Sequence, residues 1–252
     1  MKIATWNVNS LKVRLEHVQS WLQDNQPDVL CLQETKTEDV NFPLAQLQQA
    51  GYHIVLSGQK TYNGVAIISK NAATDVQYGM LNFDDPQKRV IAATINGVRV
   101  VCVYIPNGES PESDKYQYKL AWLEALKNWL KEEMQRHPKL ALLGDYNIAP
   151  EDRDVHDPVA WAGKILVSEP ERNVFKQLQQ LGLRDAFRLF EQPEKSYSWW
   201  DYRMMGFRRN HGMRIDHILL SDALNCTACN IDKTPRKLER PSDHTPVWAE
   251  VS

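Results

Sequence analysis

The chain has 252 residues, a formal net charge of −2 and 42% hydrophobic residues. This length fits one large domain or two small ones with a substantial core, and because no low-complexity linker divides the chain we predict a single domain over residues 1–252. The near-neutral charge argues against a protein that binds polyanions by charge alone. Apolar runs far shorter than a bilayer span, and an N-terminus without a signal-peptide pattern, predict a cytoplasmic protein without membrane contact, which we expect to be a monomer.

Strands are the commonest predicted element along the chain. Short runs rich in Val, Ile, Leu and aromatic residues indicate them. They cover residues 3–8, 29–33, 52–57, 64–69, 90–95, 98–105, 139–143, 215–220 and 246–251. The pair Asn96-Gly97 lies between two of these runs and is the strongest short-range hairpin signal, so at least one antiparallel pair is expected.

Three predicted helices interrupt these strands. Residues 11–24 and 115–136 carry apolar side chains at helical spacing, and a proline closes each segment. The third helix begins at Ser168, where a Ser-Glu-Pro-Glu sequence forms a capping box, and ends at Gly182. The pattern favours an α/β fold with two packed mixed β-sheets flanked by helices. A doubly wound nucleotide-binding fold is disfavoured, because no glycine-rich loop follows the first strand.

Acidic and amide side chains stand at the ends of several predicted strands. If these strands share one core, their polar ends can meet at one edge of it. Carboxylates crowded in this way need a metal ion or a proton to offset their repulsion. The residues are Asn7, Glu34, Asn107, Asp145, Asn147, Asp216 and Asp243. The arrangement predicts a hydrolytic site.

Two subsets of these residues suggest different roles. Glu34 and Asp243, helped by Asn7, suit a hard cation such as Mg²⁺, which binds one or two carboxylates together with waters and substrate phosphate. Each of them alone is more simply a surface acid or a hydrogen-bonding residue at a strand end. Asp145 and Asn147 lie on one side of an extended backbone, where an acid can polarise water and an amide can donate to phosphate. A plain turn is the simpler alternative for this segment.

His244 follows Asp243, and Asp216 is available to hold its imidazole in one tautomer and keep it cationic beside a phosphate. A lone histidine would ordinarily be structural. Tyr104 adds a hydroxyl at the same rim, although a tyrosine at a strand end usually only packs. Cys226 and Cys229 form a lone C-x-x-C, which is either structural, redox-active or half of a zinc site, and the structural interpretation is favoured.

Basic residues gather late in the chain in two clusters. Each cluster alone is most simply a solvated face, but together they flank Asp216 and Asp243, which indicates phosphate contacts. The first cluster is Arg203, Arg208, Arg209 and Arg214, and the second is Lys233, Arg236, Lys237 and Arg240.

At these residues the sequence resembles the exonuclease III class of the AP endonucleases, within the endonuclease/exonuclease/phosphatase superfamily related to deoxyribonuclease I. The matching stretches occur in family order and span residues 4 to 246: Ala4-Thr5-Trp6-Asn7-Val8-Asn9-Ser10, Leu32-Gln33-Glu34-Thr35-Lys36, Tyr104-Ile105-Pro106-Asn107-Gly108, Leu143-Gly144-Asp145-Tyr146-Asn147-Ile148-Ala149-Pro150, Arg214-Ile215-Asp216-His217 and Ser242-Asp243-His244-Thr245-Pro246. The resemblance implies a four-layered α/β sandwich with its site at one end of the paired sheets.

The resemblance also implies roles. Glu34 is the main Mg²⁺ ligand with Asn7 and Asp243 nearby, and Mn²⁺ is expected to substitute. Asp145 positions or deprotonates the attacking water, and His244, oriented by Asp216, stabilises charge on the phosphate. The implied contacts to the substrate backbone come from Tyr104, Asn107 and Asn147.

Residues 197–216 correspond to the part of the family that forms a pocket for an extrahelical deoxyribose. Trp199, Met213 and Ile215 align with that apolar pocket, and an abasic sugar is cheap to flip because no base must be unstacked. Many relatives have tryptophan where this chain has Met213. The segment with Arg203, Arg208 and Arg209 lies where a DNA-inserting loop is expected, the simpler alternative being an exposed loop.

The sequence therefore predicts a Mg²⁺-dependent DNA repair phosphodiesterase acting on duplex DNA. It would cleave 5′ to abasic sites, remove nucleotides or blocking groups from 3′ ends, or do both. One alternative is a phosphatase or sphingomyelinase-like phosphodiesterase of the same superfamily, acting on a lipid or inositol phosphate. Another is a non-catalytic DNA-binding module, which is disfavoured because every proposed catalytic position holds a competent residue.

Overall fold

Two six-stranded β-sheets form the centre of the computed structural model, which describes residues 1–252. The first sheet contains β1 (Lys2–Asn7), β2 (Val29–Gln33), β3 (His53–Ser57), β4 (Val65–Ser69), β13 (Cys226–Ile231) and β14 (Val247–Val251). Their spatial order is β13-β14-β1-β2-β4-β3. Only the β1/β2 pair is parallel, so the carboxyl ends of these two strands lie at the same edge.

The second sheet contains β5 (Thr74–Tyr78), β6 (Val90–Ile95), β7 (Val98–Tyr104), β8 (Leu140–Asp145), β9 (Leu183–Asp185) and β12 (Asp216–Ser221). Their order is β5-β6-β7-β8-β12-β9, and again one pair, β7/β8, is parallel. A short ribbon pairs β10 (Trp199–Trp200) with β11 (Gly212–Met213). The Asn96-Gly97 hairpin is confirmed: both residues have positive φ, 50° and 76°, as the favoured two-residue turn requires.

Six helices accompany the sheets: α1 (Leu11–Asn25), α2 (Leu44–Gln49), α3 (Asp114–Arg136), α4 (Pro158–Trp161), α5 (Glu169–Gln180) and α6 (Gly206–Arg209). The first two pack on the outer face of the first sheet, and α3 and α5 pack on the outer face of the second. A third apolar cluster lies between the sheets. The predicted two-sheet α/β sandwich with outer helices is therefore confirmed.

The capping box at Ser168 is also confirmed. The backbone N–H of Glu171 donates to the Ser168 side chain, and the Glu171 carboxylate accepts from the Ser168 backbone N–H at 3.0 Å. Gly182 follows the helix with a φ of 96°, which glycine adopts most easily. No helix in the structure combines the length and the apolar character needed to cross a membrane.

Several elements were absent from the sequence prediction because they are short or lack a clean pattern. They are β5, β9, β10, β11, β13, α2, α4 and α6. Strand β13 contains the C-x-x-C sequence, and a bulge between Cys226 and Ala228 shifts its register. Both cysteines pack against the core between the sheets, as the structural interpretation predicts.

Gly144 allows β7 and β8 to approach each other just before Asp145. A Cβ at this position would lie 1.9 Å from the backbone oxygen of Val103. We therefore expect Gly144→Ala to lower the free energy of unfolding by about 3 kcal/mol, measured by urea denaturation. Gly97→Ala is the control, because it adds a Cβ in open space and costs only about 1 kcal/mol for the left-handed φ. Equal losses would contradict this account.

Candidate active site

The polar ends of both sheets meet at one edge of the sandwich. The parallel β1/β2 pair brings Asn7 and Glu34 there, and the parallel β7/β8 pair aligns Tyr104 with Asp145. Asp216 begins β12 directly opposite Asp145 in the antiparallel register. Side chains far apart in sequence therefore converge, as predicted from their positions at strand ends.

Asn7 joins the two sheets at this edge. Its Nδ2 donates to Oε1 of Glu34 and to Oδ2 of Asp145, each at 2.8 Å. Its Oδ1 accepts the backbone N–H of Asn9 at 3.0 Å. Because the Asn7 side chain is wholly buried, the amide fixes the separation of the two carboxylates. This role was not anticipated, since the sequence suggested only a cation ligand.

Hard oxygen donors at this edge fit a divalent cation such as Mg²⁺. Glu34, Asp145 and His244 each offer one atom, and these atoms lie within 4.8 Å of one another. Glu34 is the most accessible of the three, with 17% of its side chain exposed, and its Oε2 lies 2.9 Å from Nζ of Lys36. Carboxylate oxygens are the ligands that Mg²⁺ prefers in proteins. Glu34 is thus the best placed cation ligand in the structure, with Asp145 beside it.

Asp145 has an unusual acidity. Burial raises its pKa to about 7, and the nearby Asp216 carboxylate also raises it, against the opposing effects of His244, Asn7 and the Asn147 backbone N–H. A carboxyl group with a pKa near 7 can exchange a proton at neutral pH. Asp145 is therefore suited to act as a general base.

The site favours the charged form of His244, whereas it disfavours the charged form of Asp145. Nδ1 of His244 lies 2.9 Å from Oδ2 of Asp216, and its Nε2 lies 3.7 Å from Oδ2 of Asp145. Burial acts to lower its pKa, but the carboxylates of Asp216 and Asp145 outweigh burial and raise the pKa to about 10. The imidazole is thus a cation at neutral pH and has no free nitrogen lone pair for a metal ion.

The Asp216 carboxylate is itself fixed. Oγ of Ser198 donates to its Oδ2 at 2.6 Å, and the same Oγ accepts the backbone N–H groups of Ile215 and Asp216 at 3.1 Å. All of these groups are buried. The predicted pairing of Asp216 with His244 is confirmed by this geometry, whereas the role of Ser198 was missed.

Amide and phenol donors line the same edge. Nδ2 of Asn147 donates to the backbone oxygen of Ile105 at 3.0 Å, and its Oδ1 accepts from Nδ2 of Asn107 at 3.1 Å. Burial raises the pKa of Tyr104 well above its usual value, and the Glu34 and Asp145 carboxylates add to the rise. The Tyr104 hydroxyl therefore stays protonated and can donate a hydrogen bond. Tyr104, Asn107 and Glu34 border a polar cleft of about 710 Å³.

Asp243 lies beside this group and is held by two donors. Nδ2 of Asn9 donates to its Oδ1 and Nε1 of Trp199 donates to its Oδ2, each at 3.0 Å. Burial acts to raise its pKa, but His244, Trp199 and Asn9 outweigh burial and lower it. Asp243 is thus ionised, but it is not among the three grouped cation donors, and its role as a ligand stays a prediction.

The predicted substrate-binding residues fall into two sets. Trp199 is half-buried, whereas Met213 and Ile215 are buried in an apolar cluster packed against Trp161 and Ile165. These buried side chains present no open surface for a sugar. The predicted loop residues Arg203, Arg208 and Arg209 are exposed. Their binding roles stay predictions.

Sequence reasoning missed several residues of this edge. Asn9 and Lys36 lie in the stretches quoted for the family resemblance, so their position two residues after Asn7 and Glu34 was an available signal. Nζ of Lys36 donates to Oδ1 of Asn9 at 2.6 Å and links the two loops. Arg89 stacks over the Tyr104 ring at 4.7 Å, which no local pattern indicated.

Comparisons with known proteins agree with this geometry. The model of the endonuclease/exonuclease/phosphatase family matches residues 4–244. Exodeoxyribonuclease III of Haemophilus influenzae is 35% identical over 265 residues, which cover 99% of each chain. The structure of the 3′ phosphatase NExo from Neisseria, bound to a product DNA hairpin, has a TM-score of 0.98 and 52% identity over 100% of this chain and 99% of that one. An AP endonuclease from Archaeoglobus fulgidus has a TM-score of 0.95 and 42% identity, covering 99% and 98%.

Proposed function

The chain belongs to the endonuclease/exonuclease/phosphatase family and is a nuclease of the exodeoxyribonuclease III type, and from this membership we propose that it is a Mg²⁺-dependent phosphodiesterase that repairs duplex DNA. The observation that carries the proposal is the contact between the two sheets at Asn7, which places Glu34 beside Asp145 and His244. A cytoplasmic location and a monomeric state stay predictions from the sequence.

Each residue of the site has its own role in cleavage. Asp145, with a pKa of about 7, accepts the proton of the attacking water. His244 is protonated and offsets the negative charge that develops on the phosphate. Tyr104 and Asn107, which border the cleft, donate hydrogen bonds to phosphate oxygens, and Asn147 holds the Asp145 carboxylate through its backbone N–H at 2.9 Å. A cation held by Glu34, with Asp145 beside it, would supply Lewis-acid stabilisation of the phosphate and of the leaving 3′ oxygen.

Within this activity we propose that 3′ ends are preferred over internal abasic sites. A flipped sugar needs an open apolar pocket, but Met213 and Ile215 are buried and Trp161 packs against their cluster. A terminal 3′ phosphate needs no such pocket, because it can approach from the end of the DNA strand. It can then reach the edge of the sandwich that carries Glu34, Asp145 and His244, here called the catalytic edge. The 52% identity with a protein named as a 3′ phosphatase supports the same choice.

The test uses three labelled duplexes: one with a recessed 3′ phosphate, one with a recessed 3′ hydroxyl and one with an internal abasic analogue. With Mg²⁺ we expect the 3′ phosphate to be removed with a kcat/KM at least about tenfold above that of abasic nicking. EDTA should stop all cleavage. A Glu34→Gln variant should need more Mg²⁺ for half-maximal rate, because it lacks one carboxylate of the site.

Two outcomes would contradict these proposals. Absence of Mg²⁺-dependent cleavage of every duplex would refute the nuclease proposal, and hydrolysis of an inositol phosphate instead would favour the lipid or inositol phosphatase alternative. Abasic nicking as fast as phosphate removal would refute the preference for 3′ ends alone.

A further inference from the structure

Lys119 is a charged residue wholly buried near the start of α3. Its ammonium group has three hydrogen-bond donors, and each has a partner. Nζ donates to the backbone oxygen of Asn147 at 2.7 Å and to that of Asn107 at 3.1 Å. The third partner is the Glu171 carboxylate. The three acceptors lie in three separate segments of the chain.

Two of these partners belong to the catalytic edge. Asn107 and Asn147 follow β7 and β8, and their side chains are bonded to each other at 3.1 Å. Asn147 has a left-handed backbone with a φ of 49°, a conformation that asparagine adopts more easily than most residues but less easily than glycine. The bond from Lys119 to the Asn147 oxygen helps to hold that conformation. The direction of both amides thus depends on a residue that lies behind them.

The third partner supplies the compensating charge. The Glu171 carboxylate also accepts the backbone N–H groups of Ser168 at 3.0 Å and Leu166 at 3.2 Å. These contacts tie the start of α5 to α3. A buried ion pair is weak evidence for stability, because apolar residues of equal volume often serve as well. Its benefit here is a fixed geometry.

We propose that Lys119 is a positioning residue, whose ammonium group fixes the backbone of Asn107 and Asn147 and so holds both amides in place beside Asp145. This inference rests on the proposed function, because the position of these amides matters for cleavage only if this edge of the protein acts on a phosphate. Lys119 itself does not reach the cleft and has no contact with substrate.

The same helix offers a matched control. Arg99 and Glu133 form a second buried ion pair, with 2% and 0% of their side chains exposed and 2.7 Å between Nε and Oε2. Glu133 lies 14 residues after Lys119, which is about 21 Å along the helix axis. Arg99 also donates to the backbone oxygen of Asp75, at the edge of the second sheet. Breaking this pair removes a buried charge without touching the catalytic loops.

The experiment compares Lys119→Met, Lys119→Arg and Arg99→Met on the 3′-phosphate duplex. For Lys119→Met we expect kcat to fall about 10²-fold, because a shift of about 1 Å in a positioned group has this effect. Its KM, and its affinity for DNA in EDTA, should stay within about threefold, since phosphate contacts elsewhere dominate binding. Lys119→Arg keeps the positive charge and N–H donors, but its larger planar group fits the filled site less well, so it should recover only part of the lost kcat.

Arg99→Met should unfold at a lower urea concentration, as Lys119→Met does, yet keep its kcat within about threefold. A kcat retained by Lys119→Met, or lost equally by Arg99→Met, would overturn the inference. If Lys119→Met does not fold, Lys119→Gln tests the same point, because its shorter side chain does not reach both backbone oxygens.

A structure of the variant separates this inference from the proposed function. If the unaltered chain cleaves no DNA, the proposed function is wrong, and the crystal structure of Lys119→Met still decides the positioning claim. We expect Asn147 to leave its left-handed conformation and to lose its bond to Asn107. An unchanged Asn147 with that bond intact would overturn the claim whatever the activity.

Discussion

Asp145→Asn is expected to remove almost all cleavage while making the folded protein more stable. The amide cannot accept the proton of the attacking water, so kcat should fall by about 10²- to 10⁴-fold. It also removes a carboxylate that burial holds in an unfavourable setting, as its raised pKa of about 7 indicates. Single-turnover rates on the 3′-phosphate duplex and urea unfolding in EDTA measure the two effects.

The gain in stability should depend on pH. The ordinary pKa of aspartate is 3.8, and that of folded Asp145 is about 7. Above pH 3.8 the unfolded chain loses this proton more readily than the folded chain, so ionisation favours unfolding. The penalty grows between pH 4 and 7 and is complete above pH 7. We therefore expect Asp145→Asn to exceed the parent in stability at pH 8 and to match it more closely near pH 4.

Asp154→Asn is the control with the opposite sign. Asp154 is also buried, but Arg214 and Arg188 outweigh burial and lower its pKa. The Asn variant should therefore lose stability at neutral pH. If Asp145→Asn were destabilised at pH 8 to the same degree, the Asp145 carboxylate would not be under electrostatic strain, and our explanation of its acidity would be wrong.

The catalytic edge was predictable because strand geometry determines it. A polar residue directly after a buried strand has to emerge at the end of that strand, which gave Glu34 and Asp145 without knowledge of the topology. The sequence did not show which ends belong to the same edge. That depends on the two parallel pairs, β1/β2 and β7/β8, whose long-range pairing leaves no local signal.

Lys119 illustrates what local reasoning overlooked. Tyr116, Lys119, Leu123, Leu126, Leu130 and Glu133 recur at spacings of three and four along α3. Both charged residues thus occupy positions of the apolar stripe, where a charge requires a buried partner. The pattern was visible in the sequence, but the partners Glu171 and Arg99 come from distant segments, and only the fold identifies them.

For the apolar residues near β11, the sequence predicted the type of side chain but not its surroundings. Met213 and Ile215 lie at positions that the family resemblance assigned to a sugar pocket, and they are apolar as expected. Whether such residues line a pocket or fill a core depends on what packs over them. Trp161 and Ile165, more than 45 residues earlier in the chain, join their cluster. Composition at a position therefore predicted the chemical character of this region and not its accessibility.

Asp216→Asn is expected to give cleavage a new dependence on pH. The pKa of His244 is raised to about 10 although burial acts to lower it. The Asp216 carboxylate makes the largest contribution to this rise. In the parent protein His244 therefore stays protonated through pH 9. Without that carboxylate the pKa of His244 falls, and the cation is lost as the pH rises through the lower value. The variant should lose activity at alkaline pH before the parent does.

The measurement is kcat between pH 6 and 10 for the parent, Asp216→Asn and His244→Gln. His244→Gln should have a kcat lower by about 10²- to 10³-fold at every pH, because it never provides the charge. Asp216→Asn should approach the parent at pH 6 and His244→Gln at pH 9. NMR titration of the His244 ring, without substrate, gives its pKa independently of catalysis. A variant whose alkaline limb and ring titration both match the parent would show that Asp216 orients His244 without controlling its charge.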